Sequence, residues 1–500
     1  MPLKTHPSKG FVLTMLLAIL VTSGLLEKSV EAQNPGPDTQ MKCEATSAEY
    51  KECEPPTTDE ASAEQFVLAQ VRAGKAVKLS SATKNKLRGC FIRDLLTKGV
   101  ATPEVGIMID GAIIDGPVDI RNGNVAYHVE LTHSKFLADV NLKRSHFLKG
   151  LSFAGSQFGS SLYGPGRVDT ESATIDDDLV LDDCTFMNCF TFFKSMQVGV
   201  DWSLRRATFS GDVDFTGINV GGNFLADQEN EGDPPTHFHG VADFEAAKVG
   251  VNGGFSNVVF DDSVIFSGAA FDSLSIRGTA FNGDVNFRGA KISDFYLSGS
   301  QDPHPGDRFK KSLTIEDMTF QYMSPEDWDA LQGFLAKSNS QPNQSTYSAQ
   351  FYSNLEAQFR RHGHPDQADE IYIAGLERER KNLSWYRRAF SWFLDFSIGY
   401  GRHLERLLFP WSLLFLLTGC VVFWDEANME TKKPADAEHY KGTYKPFWYT
   451  LDSFLPIIRL GEAEVWTPTQ RWRIRWRYVH TIVGNLFVPI GLAALTGIIK

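Results

Sequence analysis

Residues 264–297 read VIFSGAAFDSLSIRGTAFNGDVNFRGAKISDFYL, and the spacing of the apolar residues in this stretch decides the fold. Phe266, Phe271, Ile276 and Phe281 recur at every fifth position, and after one slip Phe287, Ile292 and Leu297 continue the step. Upstream, two apolar residues flank a polar one and a single apolar residue comes about five positions later. Val118-Asp119-Ile120 with Val125, Val140-Asn141-Leu142 with Phe147, and Val213-Asp214-Phe215 with Val220 are examples. The motif restarts roughly every 11 residues, too short a unit to enclose a core alone, so burial must come from stacking. Two such units make a four-sided coil of about 22 residues. The reading is mainly β: a right-handed parallel β-helix of the quadrilateral, pentapeptide type, over residues 105–322.

Working outward, Gly211, Gly217, Gly268, Gly278, Gly283 and Gly289 predict tight corners that need unusual backbone angles. Residues 227–239, with Pro234-Pro235 and four acids, break the period and predict a loop bulging from one corner. Most of the 37 phenylalanines fall on repeat positions and read as core filler. The net charge of −12 argues against a nucleic-acid partner, which a basic face would have to attract.

Before the repeats, Lys4 and Lys9 precede an apolar run at 11–26, and Val30-Glu31-Ala32 offers small residues for cleavage after Ala32. Residues 1–32 therefore read as a signal peptide or signal anchor that exports the rest of the solenoid-bearing chain. In an exported, proline-containing stretch, Cys43 and Cys53 are the candidate disulfide, with Cys90 a competing partner. Residues 33–104 form a polar leader and a helical cap, with helices expected over 60–72 and 85–96.

After the repeats, residues 323–405 read as helical. Tyr352, Leu355 and Phe359, then Ala368, Ile371, Ala374 and Gly375, give a tetratricopeptide-like hairpin over 348–361 and 365–381. Residues 406–500 form a two-span membrane domain. The runs 407–424 and 479–499 reach about 27 and 31 Å as helices, enough to cross a bilayer, and the second carries only His480 among polar titratable groups. Between them, residues 446–460 are apolar but too short to cross, and predict an interfacial or re-entrant segment with Asp452 and Pro456 as its candidate functional residues.

Phe351-Tyr352-Ser353-Asn354-Leu355, Gly399-Tyr400-Gly401 and the Tyr449–Pro456 stretch with Leu460 after it together resemble a family. Its members are bacterial membrane proteins that join a pentapeptide-like solenoid to two C-terminal transmembrane helices, sometimes labelled membrane-associated oxidoreductases. The resemblance covers about residues 60–500, and its most specific part is Leu451-Asp452 to Pro456. Members often begin without an export signal, so the leader here is a departure.

Chemical motifs are sparse. No dinucleotide fingerprint or phosphate loop is present, and neither catalytic, cofactor-binding nor metal-ligating residues are predicted. His237 and His239, and likewise His362 and His364, could hold a metal, but surface turns are the simpler reading. Asp176-Asp177-Asp178 with Asp182-Asp183 reads as outward corners rather than a calcium site. The expectation is a non-enzymatic, membrane-anchored scaffold that presents a binding surface to a protein or envelope partner and can self-associate. It would sit in the inner membrane with the solenoid on the periplasmic side. An oligomeric channel or transducer using 446–460 is the alternative, and a membrane-associated oxidoreductase is third.

Overall fold

The chain enters its stacked region through a short helical lid. In the computed structural model, residues 53–80, 85–99, 105–159, 166–187, 190–230, 232–297, 308–323, 328–337, 349–433, 438–455 and 460–496 are described. Helix α1 (Thr58–Arg72) starts on a capping box: the Glu60 amide donates to Thr57 Oγ1 while the Thr57 amide donates to Glu60 Oε2. Helix α2 (Gly89–Thr97) comes next, and Arg88 grips Glu64 on α1 through two nitrogens at 2.9 and 2.7 Å. The expected helix over 85–96 begins later, because Lys86–Arg88 pairs as a strand with Ile113–Asp115 and that ladder outweighs helical propensity. The disulfide joins Cys53 to Cys90, Cα to Cα 5.9 Å, which corrects the Cys43–Cys53 pairing. Arg88 also donates to the Glu54 carbonyl, which holds the start of α2, and Cys90 with it, beside the chain ahead of α1. Cys43, and the cleavage expected after Ala32, lie outside the described residues.

From Ile107 the chain forms parallel strands in stacked sheets, a solenoid-like arrangement. Each coil visits four stacks in turn. Val118–Asp119, Asn124–Val125, Val129–Thr132 and Lys135–Phe136 are one coil, and Val140 opens the next directly above Val118. The register puts like on like: Val129 pairs with Leu151, Leu151 with Leu179 and Leu179 with Trp202. Two of the stacks merge through the long strand Lys248–Gly254, which turns a corner without leaving the sheet. The last rungs are Leu313–Thr314 on Val285–Asn286 and Thr319–Met323 on Lys291–Tyr296.

Alternation along each short strand sends one side chain inward per rung, and the inward ones stack on themselves. Phe136, Phe158, Phe186, Phe209, Phe238, Phe260, Phe281 and Phe309 form one ladder, with neighbouring ring centroids 4.5–5.4 Å apart and planes within 9° of parallel. Phe193, Phe215, Phe244, Phe266 and Phe287 form a second. Offset stacking of this kind adds to burial, which already stabilises each ring by about 2 kcal/mol or more. The interior is therefore filled. An apolar void of about 10 Å³ beside Phe153, Phe158, Phe186 and Phe193 has barely room for one water.

The far end is also plugged. Helix α3 (Trp328–Lys337) sets Phe334 against Phe287, Phe295 and Phe309. Helices α4 (Ala349–Arg361) and α5 (Pro365–Arg380) form a hairpin whose Gln358 amide meets the final strand edge, accepting from the Met323 amide at 3.0 Å and donating to its carbonyl at 2.5 Å.

Beyond it, helix α6 (Trp385–Ile398) turns its polar side to Arg380, which bonds Asp395 and Tyr400 and lies over Trp392. Trp385, Phe390, Phe393 and Phe396 stay exposed. Gly399-Tyr400-Gly401, all at positive φ, makes the left-handed corner into helix α7 (Pro410–Val422). Helix α10 (Arg471–Leu495) is the longest among the described residues, and between it and α7 lie α8 (Pro446–Phe454) and the short α9 (Glu462–Val465). The stretch Leu404–Val422 and α10 are both long and apolar enough to cross a membrane. Their outward residues, among them Leu413, Leu417, Val421, Ile482 and Leu486, are exposed and apolar. An antiparallel pair, Met429–Thr431 with Trp466–Pro468, closes a small second core of Phe423, Met429, Tyr444, Tyr449 and Trp466.

Candidate functional site

A group of buried polar residues, Thr450, Ser453 and His480, lies where α7, α8 and α10 meet. Helix α10 carries glycine where its neighbours come closest: a Cβ on Gly484 would fall 1.9 Å from the Phe454 carbonyl oxygen, and one on Gly491 would fall 2.7 Å from Leu408 Cβ. On α7, a Cβ on Gly419 would meet His480 Nε2 at 2.5 Å. Small residues of this kind let backbones approach in the way membrane helices pack. The close approach encloses His480 completely. Its Nε2 lies 3.2 Å from the Phe415 carbonyl oxygen and its Nδ1 3.3 Å from Ser453 Oγ, while Phe423 and Phe454 pack on the ring. Thr481 Oγ1 donates to the Ser453 carbonyl, fixing α8 to α10. An ionisable ring enclosed between candidate membrane helices is a functional marker by default. The sequence shows His480 as the lone titratable residue of its run, but its partners Ser453 and Phe415 are set by packing that no local pattern reports.

Asp452 sits on the same short helix with both carboxylate oxygens engaged. Oδ1 accepts from the Leu460 amide at 2.8 Å and Oδ2 from the Ala463 amide at 2.7 Å. Its placement ties the chain after α8 back to the start of α9. Pro456 lies outside the described residues. An apolar groove of about 540 Å³ between α7 and α8 is lined by Leu408, Pro410, Leu413, Leu416, Phe454 and Val488, and Asp452 does not line it.

On the stacked region, four of the five acids of residues 176–183 are engaged by partners within the protein. Asp176 accepts from His146, Asp178 from the Asp201 amide, and Asp182 from the Arg205 amide. Asp183 holds Arg206 through both oxygens, and this hydrogen bond keeps its carboxyl below the usual aspartate range. His362 and His364 separate: the first approaches the Gln358 carbonyl and packs on Tyr322, the second packs on Phe359. His237 and His239, in contrast, converge on Asp261, a residue that sequence reading missed because it lies one coil away. Two histidines two apart on a strand, with an acid one coil later, is the signal that would have found it.

One further surface feature stands out. An open groove of about 520 Å³ crosses successive rungs, lined by Lys248, Val249, Ala270, Asp272, Lys291 and Gln321 among others. The chain matches no protein-family model, no curated protein and no solved structure.

Proposed function

We propose that the chain is a membrane-anchored scaffold whose solenoid, a right-handed β-helix of the quadrilateral pentapeptide type, presents its outer surface to a protein or envelope partner without chemistry of its own. One observation carries this reading: the stacked coils are filled by phenylalanine rings, whereas an open groove of about 520 Å³ lies outside them. A filled interior leaves recognition to the surface, and solenoids bind along such extended faces. Anchoring is supported by the two apolar helices and by the exposed aromatic side of α6, which adjoins them through Phe396 on Trp411. The Cys53–Cys90 disulfide fits an oxidising compartment, hence an inner-membrane protein with its solenoid in the periplasm and the connector between its spans in the cytoplasm.

Lys248→Glu with Lys291→Glu reverses charge on the groove without touching the core. Co-purification from detergent should then lose the partners that the unaltered chain retains, and an unchanged partner set would defeat the groove assignment. A second reading, an oligomeric channel or transducer, is favoured by the enclosed His480–Ser453 contact. It requires ion flux in liposomes that Asp452→Asn, Pro456→Ala or His480→Ala abolishes.

A further inference from the structure

We propose that His237, His239 and Asp261 form a binding site for a late first-row divalent transition-metal ion such as Zn²⁺ on the outer face of the solenoid. The site arises from strand geometry. Phe238 points inward and is fully buried, so its neighbours His237 and His239 both point outward on one face. His237 pairs with Val259 and Phe238 with Phe260, and one further residue along the ladder sets His239 opposite Asp261. The Asp261 amide donates to the Phe238 carbonyl at 2.9 Å, which fixes that register.

The side chains already converge. His237 Nε2 and His239 Nδ1 each lie 2.8 Å from Asp261 Oδ2, and the two rings are 3.9 Å apart, centroid to centroid. All three ligand atoms lie within 4.8 Å of one another. Ligands on a tetrahedral ion at ordinary Zn–N and Zn–O lengths stand roughly 3.3 Å apart, so a small spreading of the rings admits the ion. Each imidazole then presents a lone pair where it now donates a proton. Other histidines on this surface meet a carboxylate singly, as His133 meets Asp110 and His146 meets Asp176. Among the described residues this is the one group of three that could hold a metal.

The support around the ligands is of the kind metal sites use. From the next coil, Asn282 Nδ2 donates to Asp261 Oδ1 at 3.1 Å, which leaves Oδ2 facing the rings. Before His237, Thr236 is buried with its hydroxyl on the Leu204 carbonyl, so the strand is pinned where the 227–235 excursion rejoins the coil. Two imidazoles and one carboxylate select zinc, nickel, cobalt or copper over magnesium or calcium, which prefer all-oxygen sets. The ligands remain partly exposed, which leaves coordination positions for water or for a donor from a bound partner.

The test uses the full chain in detergent without a polyhistidine tag, titrated with Zn²⁺ against a chromophoric chelator and with Co²⁺ by absorbance. One saturable equivalent is expected, unaffected by excess Mg²⁺. His237→Ala with His239→Ala should weaken it at least about 100-fold and Asn282→Ala roughly 10-fold, while His146→Ala leaves it unchanged. Saturable binding that survives the double substitution, or no binding at all, overturns the site. Because substitutions can perturb folding, the unaltered chain supplies an independent readout. Zn²⁺ should protect His237 and His239, but not His146, from carbethoxylation, and equal labelling with and without Zn²⁺ would also overturn the proposal.

Discussion

Ala246 and Gly268 occupy the same corner on successive coils, at φ 55° and 65°, and show what each residue contributes to a turn. The same column holds Asn122, Arg144, Ser172, Ser195, Gly217, Gly289 and Asp317, all at positive φ. A left-handed conformation costs a side chain about 1–2 kcal/mol, whereas glycine adopts it freely but loses more freedom on folding. A Cβ on Gly268 would meet nothing within 4 Å, so Gly268→Ala isolates the backbone term and should cost about 1 kcal/mol in denaturant unfolding. Ala246→Gly, on an exposed corner, should gain about 0.5–1 kcal/mol. The glycine pattern foretold these corners only in part. Gly217, Gly268, Gly278 and Gly289 have positive φ, but Gly283 is required by closeness, with its Cβ position 2.2 Å from the Asp262 backbone. Asparagine, aspartate and arginine at equivalent corners carry no comparable signal. Also at this scale, burial pushes the Cys184 thiol up to about 12, and the sulfur donates to the Phe153 carbonyl. Raised in the fold, this group supports stability below the unfolded thiol value of about 8.5 and loses that support as pH climbs toward about 12. Peptide mapping after alkylation at pH 8 should leave Cys184 unmodified in the folded chain and label it on unfolding.

Among the elements, the aromatic ladder sets the energetics. Phe238 is fully buried between Phe209 and Phe260, with rings 4.9 Å away on both sides. Phe238→Ala should destabilise by about 3–5 kcal/mol, a loss measurable as a lowered midpoint in thermal unfolding monitored by circular dichroism. Leu at the same place should lose much less. The ladder was legible as a recurring apolar position, but which rung meets which was not. Val213 pairs with Ala242 and Val264 with Val285, so the step between coils changes wherever extra residues enter. Asp261 lies the regular 22 residues after His239, and it was missed because 227–239 reads as a loop in sequence whereas His237–Phe238 is a strand on the ladder. In the apolar helices after the hairpin, hydropathy marked both long helices and the short segment between them. The glycine contacts were invisible, because a glycine in an apolar run reads the same whether it faces lipid or a neighbouring carbonyl. Gly484→Leu should force α10 from Phe454. Cross-linking between cysteines placed at Thr481 and Ser453 should then fall, whereas Leu486→Ala on the exposed side leaves it intact.

Across the whole molecule, the lid at the start depends on a covalent tie. The Cys53–Cys90 bridge closes 37 residues, and loss-of-entropy reasoning gives it about 3–4 kcal/mol. Cys90→Ser should leave the coils folded but release α1, so that limited proteolysis cuts ahead of Glu64 under conditions that spare the unaltered chain. A reporter active only outside the cytoplasm, fused after Lys337, should be active if the solenoid is periplasmic and silent if it is not. The pairing itself could not be read from cysteine spacing, since Cys43 and Cys90 were both available to Cys53 and the choice fell to Arg88 and Glu64.

Parallel strands end on unpaired amides and carbonyls, and a bare final rung invites another chain to add itself. Gln358 answers both groups of Met323 with one side-chain amide, standing in for the rung that never comes. At Met323 that invitation is withdrawn, so Gln358→Leu should bare this part of the final rung and raise self-association of the chain in detergent, read by light scattering.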